Sequence, residues 1–153
     1  AIPLYEQFEM LKKNYVAVIA GITSGVITSV LMVLVFAVLF NYSHEDYVTF
    51  LPKSITTAIG MGVSEQLGGN VSVTVAVIII TGVFGNIIAE PVCRLFHITE
   101  PVAKGVGIGS ASHAIGTTKA MEMGDIEGAM SGLSIAVAGM LTVVAAIIFS
   151  YIY

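Results

Sequence analysis

Three long apolar runs, separated by polar joints and by two shorter mixed stretches, set the pattern of this chain. Tyr15 to Phe40 is 26 residues without a charge, longer than the roughly 20 needed to cross the hydrocarbon core of a bilayer. Val71 to Ala89 is 19 uncharged residues, many of them β-branched, and reads as a second span that Glu90-Pro91 stops. Ala129 to Phe149 is the third span. Ahead of the first, residues 1–14 put Leu4, Phe8 and Leu11 on one helical face, with Glu6, Gln7, Glu9 and Lys13 elsewhere, as in an interfacial helix. Asn41 to Asp46 is an aqueous loop with a solvated His44, and residues 90–105 read as a linker along the membrane surface. Gly21, Ser24, Gly25 and Ser29 form a small-residue stripe, read as a helix-packing seam rather than a ligand path.

The mixed stretches, 47–66 and 106–123, carry one phrase written twice. Aligning Ser54 with Ser110, 56 positions later, brings Ala58, Ile59, Gly60 and Gly68 onto Ala114, Ile115, Gly116 and Gly124. Thr56 falls on Ser112. Both copies hold too many hydroxyls and glycines for plain membrane helices, yet both lie between spans. Polar backbone at membrane depth survives only where protein or water covers it, so these phrases are the first candidates for a site.

Composition fixes the solvent. Apolar residues make up 56% and charged residues 10%, with a mean hydropathy of +0.95, so the chain is an integral membrane protein. The net charge of −4 lies in short joints without a basic run, which argues against nucleic-acid binding. Cys93, the single cysteine, reads as a buried packing residue and excludes an internal disulfide or a cysteine metal site.

Charge placement orients the mixed stretches. If each enters and leaves on the same side, Lys12, Lys13, Arg94 and Lys104 are all cytoplasmic, as the positive-inside rule favours; if each crosses, the last two lie outside. The expected fold is therefore all-α, with full spans at 15–40, 71–89 and 129–149 and re-entrant helical hairpins at 47–66 and 106–123. One span between the hairpins makes them enter from opposite faces as inverted repeats.

Such hairpins bring free N–H groups and helix N-termini into the membrane, which suits an anionic substrate. Ser54, Thr56, Thr57, Ser110, Ser112, Thr117 and Thr118 supply hydroxyls, and Gly116 admits close approach. Lys53 adds a full positive charge, and His113 is a candidate proton carrier. The plainer readings are a Lys53 that snorkels to head groups, a hydrogen-bonded packing His113, and hydroxyls that only satisfy broken backbone. Lys119 and Glu122, three apart, are placed to pair on one helix face. No hydrolase elbow, phosphate loop or zinc motif is present, and no cofactor or metal is expected.

The phrases Pro52-Lys53-Ser54-Ile55-Thr56-Thr57-Ala58-Ile59, Ser64-Glu65-Gln66-Leu67-Gly68-Gly69 and Gly109-Ser110-Ala111-Ser112-His113-Ala114-Ile115-Gly116-Thr117, then Glu127-Gly128-Ala129, resemble the LrgB/CidB family of bacterial membrane proteins. Ile2-Pro3-Leu4-Tyr5-Glu6-Gln7 and Leu11-Lys12-Lys13 extend the resemblance over essentially the whole chain. Thr118-Lys119 departs from the family's more frequent Ala-Arg but keeps the cation. The resemblance implies a multi-pass protein of the bacterial cell membrane, with further membrane segments before Ala1. It implies two functions. One is antiholin- or holin-like modulation of murein hydrolase activity and autolysis with a small LrgA/CidA-type membrane partner. The other is carriage of small monocarboxylates such as pyruvate or glycolate, as in a related plastid glycolate/glycerate translocator. Two inverted polar hairpins favour the carrier, since a holin needs only oligomerising helices. The expected partners are the bilayer, a small anionic substrate, the LrgA/CidA-type protein and further copies of the chain.

Overall fold

The computed structural model describes residues 8–153, with side chains from Lys12 onward, so the expected interfacial face around Leu4 lies outside the described residues. Every regular element described is a helix: α1 Phe8–Phe40, α2 His44–Phe50, α3 Thr57–Leu67, α4 Val71–Leu95, α5 Pro101–Met123 and α6 Asp125–Ser150. Three of them, α1, α4 and α6, are long and apolar enough to cross a membrane, matching the three expected spans. Large apolar side chains such as Leu39, Ile80, Phe84 and Ile148 stand exposed on these helices, as a lipid-facing surface requires.

Local signals explain the boundaries. Ser43 opens α2 with a reciprocal capping box to Asp46. Pro52 supplies no N–H, and the chain leaves helix over residues 51–56 through turns such as Lys53 N to Phe50 O at 3.1 Å. Gly68, at φ 80°, stops α3 in the left-handed region, and the Asn70 side chain caps α4. Two helix ends differ from the sequence expectation. Glu90-Pro91 does not stop the second span: α4 continues to Leu95, with Arg94 reaching back to Glu90 at 2.6 Å across the proline. A proline forfeits one backbone bond, and the solvated ion pair on the same face offsets part of that loss. The linker expected over 90–105 shrinks to residues 96–100, because Pro101 is placed as the first residue of α5, where its missing N–H costs nothing. Asp125 and Glu127 extend α6 beyond the apolar run by complementing the positive helix start.

α5 is broken at His113, whose φ 41° and ψ −143° interrupt an otherwise helical run. Before the break, Gly105 lies against Glu127 and Met130 and Gly109 against Ser131; after it, Thr117 bonds Ser131 and Met121 lies against Gly128. The first arm of α5 therefore ascends α6 while the second descends it. Glycines at these crossings let backbones approach to the distances that hold helices together in lipid. The α2–α3 segment also returns on itself: Ser54 reaches Ser29 of α1, and Asn70 N is back beside Thr49 Oγ1 at 2.8 Å.

The shift that aligns the two phrases also carries the element boundaries. Displaced by 56 positions, Thr57 and Leu67 fall on His113 and Met123, so the second arm of α5 repeats α3. Val71 and Leu95 fall on Glu127 and Tyr151, within two residues of the ends of α6.

Candidate functional site

The two phrases meet beside the stripe on α1. Ser29 Oγ and Ser54 Oγ are 3.0 Å apart, and Lys53 Nζ donates to Ser54 Oγ at 3.0 Å. One turn away, Gly25 leaves room for Ser110, whose Oγ lies 3.0 Å from where a methyl at residue 25 would stand. Ser24, Thr28, Ser29, Lys53, Ser54 and Ser110 line a cleft of about 510 Å³ between α1, the 51–56 link and the first arm of α5. Ser110 and Ser24 each donate to a carbonyl of their own helix, at 2.7 and 2.9 Å, so their oxygens remain as acceptors. Among the described residues, Lys53 supplies the only full charge on this lining. The stripe read as a packing seam does pack, and its Ser24 and Ser29, with Thr28 beside them, also furnish the cleft with hydroxyls. Sequence reasoning missed that second role; the available signal was that Ser24, Thr28 and Ser29 recur with helical spacing on a span whose other polar side chains are Tyr15 and Thr23.

The remaining expected site residues lie elsewhere. Thr56 and Thr57 stand at the start of α3 and are not among the residues lining this cleft. Ser112 is on the other side of α5, against Gly85 of α4. The Nε2–H of His113 donates to Ile78 O at 2.9 Å, and its ring occupies the space left by Gly82. Thr117 Oγ1 donates to His113 O at 3.0 Å and is 2.7 Å from Ser131 Oγ, while Gly116 makes room for Ser112. Asn86, unremarked in the sequence, donates to Ile115 O at 2.9 Å and to Thr118 Oγ1 at 2.7 Å, tying α4 to the second arm of α5. The cluster around His113 thus holds the broken backbone in place, and Lys53, Ser54 and Ser110 face the cleft.

Charge gathers where α4 ends and α5 opens. Lys119 lies 3.3 Å from Glu90 and 3.1 Å from Glu122, the latter being the expected pair, and Lys104 lies 3.8 Å from Glu127. The neighbouring carboxylates, Glu122 foremost, hold the Lys119 ammonium above the ordinary lysine range. Glu90, Arg94, His97, Lys104, Lys119 and Glu122 surround a cavity of about 570 Å³. Among the described residues no three His, Cys, Asp or Glu side chains gather as a metal group.

Three apolar spans, two broken helical segments and a charge-bearing cleft between them define a multi-pass α-helical membrane protein. The chain belongs to the LrgB-like family, whose model matches residues 1–152. It is 38% identical to the holin-like protein CidB of Staphylococcus aureus strain Mu50, over 142 residues that make up 93% of this chain and 62% of that protein. It is 35% identical to the holin-like protein CidB of Staphylococcus epidermidis strain ATCC 12228 over the same shares. The chain thus spans 62% of the length of these relatives. No solved structure matches it.

Proposed function

We propose that this chain is the LrgB-type subunit of a carrier for small monocarboxylates, pyruvate- or glycolate-like, working with a small LrgA/CidA-type membrane protein. The observation that carries the reading is the cleft in which Lys53 and Ser54 of the first phrase meet Ser110 of the second beside Ser29. In this proposal both broken segments are re-entrant hairpins, inverted with respect to each other. Supporting this, the α2–α3 segment is rooted where α4 begins, at Asn70, and α5 is rooted where α4 ends, near Glu90. The Lys53 ammonium meets the carboxylate, Ser54 or Ser29 donates to its neighbouring oxygen, and Ser110 accepts from that oxygen where it is a hydroxyl. Ser112, His113, Gly116 and Thr117 keep the second break open toward the site, and the helix start at Thr56 and Thr57 adds partial positive charge.

The test is uptake of labelled pyruvate and glycolate into proteoliposomes holding the full-length protein, with and without the LrgA/CidA-type partner, beside release of a trapped dye. Saturable uptake without dye release is expected, and Lys53→Ala lowers it about tenfold or more at equal insertion, the equivalent of one charged hydrogen bond. The relatives' name, holin-like, favours a second reading, a membrane modulator of murein hydrolase activity. Dye release, or no specific uptake in either preparation, would select that reading.

A further inference from the structure

We infer that the cleft between α4 and the first arm of α5 is a second station for the transported anion, joined to the Lys53 cleft across Gly107 and Ala111. The inference rests on the carrier reading above. This second cleft, about 210 Å³, is bounded by Gly85 and Ala89 of α4 and by Lys104, Gly107, Ala111 and Ser112 of α5. Its volume is far above the ~10–15 Å³ that one enclosed water occupies.

Ser112 distinguishes it from a packing gap. The residue is only 5% exposed, and its hydroxyl has no hydrogen-bond partner among the described residues. Its neighbour Ser110, by contrast, is bonded to its own helix. No buried side-chain oxygen among the described residues is left unpaired, so this hydroxyl opens into the cleft, a polar group with its protein-side bond unmade and available to a ligand. Lys104 stands at the mouth. Its ammonium is largely covered and is 3.8 Å from Glu127, a loose pair that leaves N–H donors free for an incoming anion.

The cavities follow one another in space. Cys93, Ile98 and Lys104 line both the charged cavity and this cleft; Gly107 and Ala111 line both this cleft and the one holding Lys53. Between the two lysines, α5 turns outward a face of Ala103, Gly107 and Ala111, which carries no side-chain atom beyond Cβ. Ser112 and Ser110 flank that face on opposite sides. An anion crossing it leaves the Ser112 hydroxyl as it passes from the field of Lys104 to that of Lys53.

Thiol labelling tests the route separately from transport. In a Cys93→Ser background of the full-length protein in proteoliposomes, Gly107→Cys and Ala111→Cys are compared with Ile80→Cys on the lipid-facing side of α4. A methyl at residue 107 meets nothing within 4 Å, so that variant fits. The probes are an anionic and a cationic methanethiosulfonate. Both cysteines on α5 are expected to react with the anionic reagent at least about tenfold faster than Cys at position 80, and Lys104→Gln lowers the anionic rate but not the cationic one. Rates at 107 and 111 no faster than at 80, or an anionic-to-cationic ratio indifferent to Lys104→Gln, overturn the station. Saturable uptake beside such flat labelling leaves the carrier reading standing. The expected labelling without uptake supports the route and overturns the carrier instead.

Discussion

The two copies of the repeated segment are closed at their roots by different chemistry. Where α2 and α3 come together, Thr49, Ser64, Asn70 and Thr74 form a neutral, mostly buried network. Thr74 Oγ1 lies 2.9 Å from Thr49 O and 2.7 Å from Ser64 Oγ, and its single proton is shared between these two acceptors. Tyr47 reinforces this end by donating to Phe149 O at 3.0 Å. Where the arms of α5 open, Lys104, Lys119, Glu90, Glu122 and Glu127 hold the ends by ion pairs around a cavity. Buried neutral bonds cannot open without stranding a polar group, whereas the part-solvated Lys119, Glu90 and Glu122 exchange partners for water at little cost. One repeat is thus a fixed wedge and the other has a root that can loosen.

Three substitutions break or sharpen this contrast. Gly109→Ala acts on the scaffold beneath both behaviours: its methyl would stand 2.8 Å from Ser131 Cα, with backbone on each side and no side chain to yield. We expect a loss of about 3 kcal/mol or outright failure to fold, read from the thermal midpoint in detergent. Thr74→Val keeps shape but removes the hydroxyl from the fixed root, costing about 1–2 kcal/mol and lowering the same midpoint; an unchanged midpoint would mean that this root is not what fixes the wedge. Lys119→Met has the smallest effect on stability. It leaves the midpoint unchanged but speeds modification of Cys93, which lines the charged cavity. Raising salt to about 1 M brings the wild-type rate toward that of the variant, because it screens the same pairs.

The spans were legible because hydropathy reports depth in the bilayer. It does not report helix length, so Pro91, Pro101 and Asp125 were placed outside helices that include them. Polar residues at a helix end are solvated and capped, and the helix outlasts the apolar run. The repeated phrase located both breaks because hydroxyls and glycines in a membrane setting need a reason. It did not separate Ser110 from Ser112, two residues apart on opposite sides of a helix arm, nor bind Ser54 to Ser29 on a span 25 residues earlier. Those relations depend on which helix faces meet. For the same reason Thr49, Ser64 and Thr74 went unnoticed: each is an ordinary hydroxyl until the fold assembles them.

Ile78 belongs to both halves. Its side chain fills the space left by Gly60, and its carbonyl receives the His113 ring. The two breaks therefore share one residue of α4, and a change at position 78 reaches both copies at once.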